Sequence, residues 1–261
     1  MFVQKIIFRL SAFYAFGIGL FAVVPSASAF TFSPSGDSVT ITAADINKSF
    51  NIDFNGNVST QNVQGLSSTA IFKFLGFNTV GSGANTRTEA AFNIDLTNTS
   101  SNGITSRTSV LGFNTSLPLR GVGSTNTSGN TRTSGLFNQD RTGQLPNQFG
   151  NLDVCFLNRN GNGGNCSGGG NGGVSTGDPT GTFSPILAFN GNINTFTLSN
   201  FGVRYQSITG TGLGTSGTGR GFYTPPPPPP RRVSEPATVA AISLFVLGGL
   251  QLKKKQRLLS V

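Results

Sequence analysis

The chain has 261 residues, of which 10% are charged; it contains 36 glycines, two cysteines, no tryptophan and no histidine. Without an imidazole, Ser-His-Asp and Cys-His catalysis are excluded, and two thiols alone do not make a zinc site. The net charge of +9 falls to +4 between Phe30 and Arg232, where twelve basic and eight acidic residues remain, with arginines scattered singly through polar turns; that argues against a nucleic-acid face.

Residues 1–29 read as a secretory signal helix. Lys5 and Arg9 form a positive start, an apolar run from Leu10 to Val24 follows, and Pro25 breaks it ahead of Ala27-Ser28-Ala29. Small residues at that spacing suit a signal peptidase, so cleavage is expected between Ala29 and Phe30. The general secretory (Sec) machinery and a signal peptidase are then partners, and the chain crosses the inner membrane. The alternative is an uncleaved membrane anchor.

From residue 30 to 208 the composition is that of an all-β domain. Thr, Val, Ile and Phe suit a pleated, half-buried surface, and clusters of Gly, Asn, Ser and Thr punctuate it as turns. Apolar and polar residues alternate in Val39–Thr42, Phe50–Phe54 and Phe92–Thr97, with a denser apolar run at Ala70–Leu75. Asn55-Gly56 is a hairpin-type turn signal, and the segment from Asn98 to Gly103 turns the chain back. Further strands are expected at Ser106–Asn114, Leu152–Leu157, Phe183–Phe189, Thr195–Leu198 and Phe201–Tyr205, with a bulge or bend at Ser199-Asn200. About eight to nine strands separated by turns predict a β-sandwich or jelly roll with a phenylalanine core. Arg120 to Arg141 reads as a polar surface excursion.

Cys155 and Cys166 flank a glycine- and asparagine-rich loop. In an exported chain the simplest reading is a disulfide, and closing so short a loop stabilises by roughly 3 kcal/mol. Residues 209–233 read as a linker of two stiffnesses. The Gly/Thr stretch from Thr209 to Arg220 is flexible, and Pro225 to Pro230 form an extended polyproline rod.

Residues 234–257 form a tripartite tail: Ser234-Glu235-Pro236, an uncharged run from Ala237 to Leu252, and the basic stop Lys253, Lys254, Lys255 and Arg257. Sixteen residues of helix reach roughly 24 Å against roughly 30 Å of hydrocarbon, which suits a temporary hydrophobic helix across the membrane. The lysines mark the cytoplasmic end. A permanent single-pass anchor is the alternative. This layout resembles the PEP-CTERM sorting signal, with Ser234 standing where that signal has its first proline. The resemblance implies recognition and cleavage by an exosortase, a membrane-embedded transpeptidase of Gram-negative bacteria, and a link to exopolysaccharide and biofilm. The body carries a second resemblance. Phe54–Val58, Gly65–Ser67, Leu96–Ser100, Gly112–Thr115, Leu152–Phe156, the loop to Cys166, the glycine run through Gly173 and Phe201–Ile208 are similar to the cistern family of PEP-CTERM proteins. That family implies an exported surface protein and supplies no catalytic residue.

No catalytic, cofactor or metal residue is assigned. Asp37, Asp45, Asp53, Glu89, Asp95, Asp140, Asp153 and Asp178 leave a glycosidase-type carboxylate pair formally open. Asp53–Asn57 has the start of a calcium loop, yet Val58 and Gln64 stand where glycine and a bidentate glutamate belong. Two functions follow. The first is a structural or interaction protein, transiently anchored in the inner membrane, then displayed at the cell surface or outside the cell with exopolysaccharide or other matrix components. The second is a carbohydrate-binding module, for which Tyr205 and Tyr223, beside phenylalanine, are the rings available for stacking on a sugar.

Overall fold

The computed structural model describes residues 30–122, 134–158, 165–168 and 171–225. The signal segment, the polyproline run beyond Pro225 and the whole sorting tail lie outside the described residues, so the two flanking helices do too. The chain divides into a unit ending at Tyr223 and one from Thr224 to Val261, and the fold below belongs to the first. Among the described residues no helix is long and apolar enough to cross a membrane.

The described chain is all-β, with two single 3-10 turns at Ala43–Asp45 and Gly83–Asn85. In order, the strands are β1 (Thr31–Phe32), β2 (Ser38–Thr42), β3 (Ser49–Phe54), β4 (Asn57–Val58), β5 (Gln61–Asn62) and β6 (Ser68–Val80). Next come β7 (Arg87–Asn98), β8 (Thr105–Thr115), β9 (Leu119–Val122), β10 (Ser134–Gly135), β11 (Gln139–Leu145) and β12 (Gly150–Leu157). The last are β13 (Val174–Ser175), β14 (Gly181–Ser184), β15 (Ile186–Asn190), β16 (Thr195–Thr209) and β17 (Ser216–Phe222). These 17 strands form one connected sheet, against the eight to nine expected. The excess comes mainly from two-residue bridges such as β4, β5, β10 and β13, which Gly- and Asn-rich connections make with a passing strand.

All ladders are antiparallel. One tract runs β11–β12–β8–β16, and the far edge of β16 pairs with β2 along one half and β17 along the other. A second tract runs β3–β6–β7, then β14 and β15, then β10 and β9. Strand β17 belongs to both, because Gly221 and Phe222 leave β16 and pair with Phe54 and Asp53 of β3. The sheet therefore curls, and its two tracts share an aromatic core.

Alternation decides which side chains enter that core. On β6, Ala70, Phe72 and Phe74 are buried, while Ile71 and Leu75 point outward and are exposed. On β7, Phe92, Ile94 and Leu96 share the buried face. Phe72 stacks on Phe50 at 5.0 Å and meets Phe113 of β8 and Phe201 of β16 edge-on at 6.1 and 5.6 Å. Such offset and T-shaped pairs add to the large area each ring buries.

Three connections differ from the sequence reading. Asn55-Gly56 closes no hairpin; it carries the chain from β3 to β4, and a Cβ on Gly56 would fall inside the Leu66 side chain. Asn98–Gly103 likewise passes between tracts. There the buried Asn98 amide donates to Ser106 and Thr108 hydroxyls at 2.9 and 3.2 Å, a polar seam at that end of the core. Third, Thr209–Arg220 is no linker: β16 reaches Thr209, and β17 buries Gly217, Thr218 and Gly219. The β domain thus extends past residue 208 to Phe222. The expected excursion at 120–141 also contributes strand residues, in β9, β10 and β11. The bend at Ser199-Asn200 is present as a register shift between Ser199 and Gly202, with Asn200 at φ 49°.

Candidate functional site

Where β17 leaves one tract for the other, two connections rise beside it and enclose a groove of about 310 Å³. One wall is the β4–β5 hairpin with Asn57, Thr60 and Asn62, and the other is the β11–β12 turn with Asn147, Gln148 and Phe149. Thr218 and Arg220 of β17 complete the lining. Both turns are two-residue turns with positive φ at each central position: Ser59 and Thr60 at 49° and 68°, Asn147 and Gln148 at 55° and 59°. Such turns match the strand twist but favour Asn-Gly. A β-branched threonine in this region stores strain on the order of 1–3 kcal/mol, which the flanking ladders hold in place.

Arg220 is the fixed charge of the groove. Its guanidinium donates to Asn200 Oδ1 at 3.0 Å and to the Phe149 carbonyl at 2.9 Å, and lies 4.3 Å from the centre of the Phe149 ring. Its backbone N–H donates to Asn55 Oδ1 at 2.8 Å. The bulge at Asn200 places that acceptor. Planar guanidinium, ring face and two oxygens together hold a long side chain that would otherwise sample many rotamers. Two amide atoms of the lining are left over: Asn57 Oδ1 and Asn147 Nδ2 are buried without a hydrogen-bond partner. One accepts and the other donates.

A second concavity of about 400 Å³ shares Asn55 and Asn62 with the first. It adds Asp53, Gln64 and the exposed ring of Phe222. Asp53 accepts from the Thr69 hydroxyl at 3.0 Å. The arrangement is a polar cleft of amides, hydroxyls, one guanidinium and one carboxylate, suited to hydrogen bonding.

Cys155 and Cys166 are bonded, with Cα atoms 5.9 Å apart. Both are fully buried in a second apolar cluster on the outer side of β8 and β12, with Val110, Leu145, Phe149, Leu152 and Leu157. Phe149 thus stands on the disulfide cluster and supports Arg220. Phe30 is described and buried; Ala29, Ser234, Glu235, Pro236, Lys253, Lys254, Lys255 and Arg257 lie outside the described residues. The carboxylates are dispersed. Asp95 accepts from Thr182, Asp153 from the Thr115 amide, Asp178 from the Ser175 amide, and Glu89 pairs with Arg87 at 3.1 Å. Among the described residues no three His, Cys, Asp or Glu side chains gather as a metal site would need.

Of the two tyrosines offered for sugar stacking, Tyr205 is fully buried and cannot reach a ligand. Tyr223 lies flat on Phe32 at 3.5 Å. The groove itself escaped the sequence reading because its residues come from three distant stretches. Only the turn signals at Asn55-Gly56 and Pro146-Asn147 point to it. No protein-family model matches this chain, and no curated protein or solved structure matches it either.

Proposed function

We propose that this chain is an exported, exosortase-sorted protein of the cell surface or extracellular matrix, with a structural or interaction role in association with exopolysaccharide. The observation that carries the reading is the buried Cys155–Cys166 disulfide, which ties the glycine-rich segment after β12 to an inner strand of a curled sheet. Such bonds persist in oxidising compartments, which a chain reaches through an export signal like that of residues 1–29. The finer fold in this reading is a sandwich or jelly roll closed by β17. Signal peptidase releases the chain at Ala29, and the run from Ala237 to Leu252 holds it in the inner membrane until an exosortase acts near Ser234-Glu235-Pro236.

The test is the intact mass of the protein recovered from a Gram-negative host that carries an exosortase. The expected mass starts at Phe30, lacks the tail beyond the sorting motif and is two hydrogens short of the dithiol. A full-length, reduced chain in the cytosol overturns the proposal.

The amide- and guanidinium-lined groove supports a second reading, a module for a defined glycan. Sugar hydroxyls both donate and accept, as Asn57 Oδ1 and Asn147 Nδ2 require. On a glycan array, one tight ligand lost at least tenfold on Arg220→Ala favours the module. Weak, broad retention by whole matrix, unchanged by that substitution, favours the first reading.

A further inference from the structure

Phe30 would be the first residue of the exported chain, and its surroundings are unusual for a terminus. The side chain is 4% exposed, and its ring meets Phe50 edge-on at 4.8 Å. Its backbone nitrogen lies 3.0 Å from Oδ1 of Asp45, itself 3% exposed. The other carboxylate oxygen is already occupied: the Thr42 N–H and hydroxyl both donate to Oδ2 at 2.8 Å. One cation stands near, Lys48, with its Nζ 3.9 Å from Oδ1 on a side chain one-third exposed. A buried carboxylate is costly unless paired and hydrogen-bonded. Asp45 therefore has hydrogen bonds, a distant lysine, and one oxygen aimed at the nitrogen of Phe30.

The backbone adds a second, independent sign. Phe30 sits at φ 61°, a left-handed conformation that is a genuine outlier for a bulky residue. The clash there involves the preceding carbonyl, so it exists only while Phe30 is joined to Ala29.

We propose that Asp45 is the receptor for the amino terminus made by signal cleavage, so that maturation closes a buried ion pair between the Phe30 α-ammonium and the Asp45 carboxylate. The proposal rests on the cleavage reading given above. Water splits the Ala29–Phe30 amide: its hydroxyl joins the Ala29 carbonyl carbon and its hydrogen the Phe30 nitrogen. The new acid's proton then passes to the amine, leaving a carboxylate on the leader and an ammonium on the domain. One N–H becomes three, a positive charge arrives opposite Oδ1, and the left-handed strain at Phe30 is released. The precursor lacks this pair as it lacks the disulfide, so both stabilising links are made only after export.

The titratable groups on the elements around the pair are Lys48, Asp37 on the β1–β2 turn, Lys73 on β6 and Tyr223, which stacks on Phe32. Among the described residues Lys48 is the cation within ion-pair distance of Asp45. Burial opposes ionisation of Asp45, but hydrogen bonds from Phe30 and Thr42 and the charge of Lys48 outweigh it and hold the carboxyl below its ordinary 3.8. An amine paired with that carboxylate titrates above the ordinary terminal value of about 7.7–8.0. Its stabilisation is then complete below that value and is lost as pH rises through the raised one.

The experiment compares three full-length chains exported from the same host: the natural sequence, one with a glycine inserted between Ala29 and Phe30, and Asp45→Asn. Intact mass identifies each terminus. The α-amine is labelled with an amine-reactive ester at pH 7.5, and the N-terminal peptide is quantified. At this pH a pKa raised by one unit lowers the free-amine fraction, and hence the labelling rate, about sevenfold. The natural chain is expected to label about sevenfold or more slowly than the glycine-extended chain. Its unfolding midpoint falls between about pH 8 and 10, in a step the extended chain lacks. Asp45→Asn, where it folds, labels fast. Equal rates and coincident pH profiles in chains that begin at Phe30 and at the inserted glycine overturn the ion pair and leave the export reading standing. A mature chain that begins elsewhere overturns the ion pair together with the Ala29–Phe30 cleavage site, and a full-length cytosolic chain overturns the export reading.

Discussion

Tyr205 carries a phenol into a core cluster whose other buried rings are phenylalanines. It is fully buried, and its hydroxyl is without a partner at hydrogen-bonding geometry; the Ser68 hydroxyl lies near but pairs with that of Thr108 at 2.6 Å. Burial pushes the phenol well above its ordinary 10, and the proximity of Ser68 offsets only part of that. A buried polar group without a partner costs on the order of 1–3 kcal/mol. Tyr205→Phe deletes the group and keeps the ring, so it is expected to raise unfolding stability by about 1 kcal/mol at neutral pH. The pH dependence has a fixed sign. The folded state holds the phenol's proton more tightly than the unfolded state, so the contribution of this group is intact below pH 10 and is lost as pH rises above it. Urea unfolding at pH 7 and pH 10.5 should show the natural chain losing more stability than the variant over that interval. A variant less stable than the natural chain at pH 7 would mean that the hydroxyl has a partner, such as a buried water. Alternation along Phe201–Tyr205 was enough to place Tyr205 on the same face as Val203. It could not tell whether that face looks to solvent or into the core, since β16 is covered by strands on both edges, which the sequence does not show.

At the scale of elements, the strands that alternate against charge or amide were legible. In β3 and β7 the outward Asn51, Asp53, Asn93 and Asp95 mark the solvent side as clearly as Phe and Ile mark the core. Strand β17 was not legible. Its buried positions Gly217, Gly219 and Gly221 have no side chain to show a pattern, and they are buried because backbone packs on them. A Cβ on Gly219 would press on the Tyr205 ring and on Val203, at 3.0 Å from each, so the strand needs glycine there for close approach. A Gly/Thr run therefore reads as a flexible linker in sequence and as a strand in the fold. The disulfide was legible because only two cysteines exist, but its neighbours were not. It anchors β12 and the loop beyond it to the cluster that carries Phe149, and through Phe149 it steadies Arg220. Replacing both cysteines by serine is expected to cost about 3 kcal/mol of stability through the opened loop. It should also loosen the guanidinium, read as faster hydrogen exchange at Phe149 and Arg220 than at Phe92 and Ile94 on the far tract. Uniform acceleration at all four positions would mean that the bond acts on global stability alone.

At the scale of the molecule, the fold is a curled antiparallel sheet whose last strand joins its two tracts. The chain starts along β2, crosses to the second tract at β3, returns at Asn55-Gly56, crosses again to β6 and β7, and comes back at Asn98–Gly103 to β8. Most partners are far apart in sequence, so loop-closure entropy is lost before the contacts form, as in other sheets of high contact order. Strand β17 then lies along β16 and meets β3 and β4 from the other end of the chain. Without it, Tyr205, Val203 and Phe54 lose the backbone that covers them, and β16 and β3 each present an unpaired edge over the core. Two truncations separate this account from the sequence boundary. A domain of residues 30–225 is expected to unfold cooperatively in urea with a normal near-ultraviolet signal from its buried tyrosine. A domain of residues 30–208 is expected to lose that signal, bind a hydrophobic dye and aggregate, because exposing several large apolar side chains at about 1.5–3 kcal/mol each costs as much as a large part of the 5–15 kcal/mol by which domains are typically stable. Equal midpoints for the two would show that β17 is an ornament on a sheet already complete, and the junction near Arg220 would then be a tether and not part of the core.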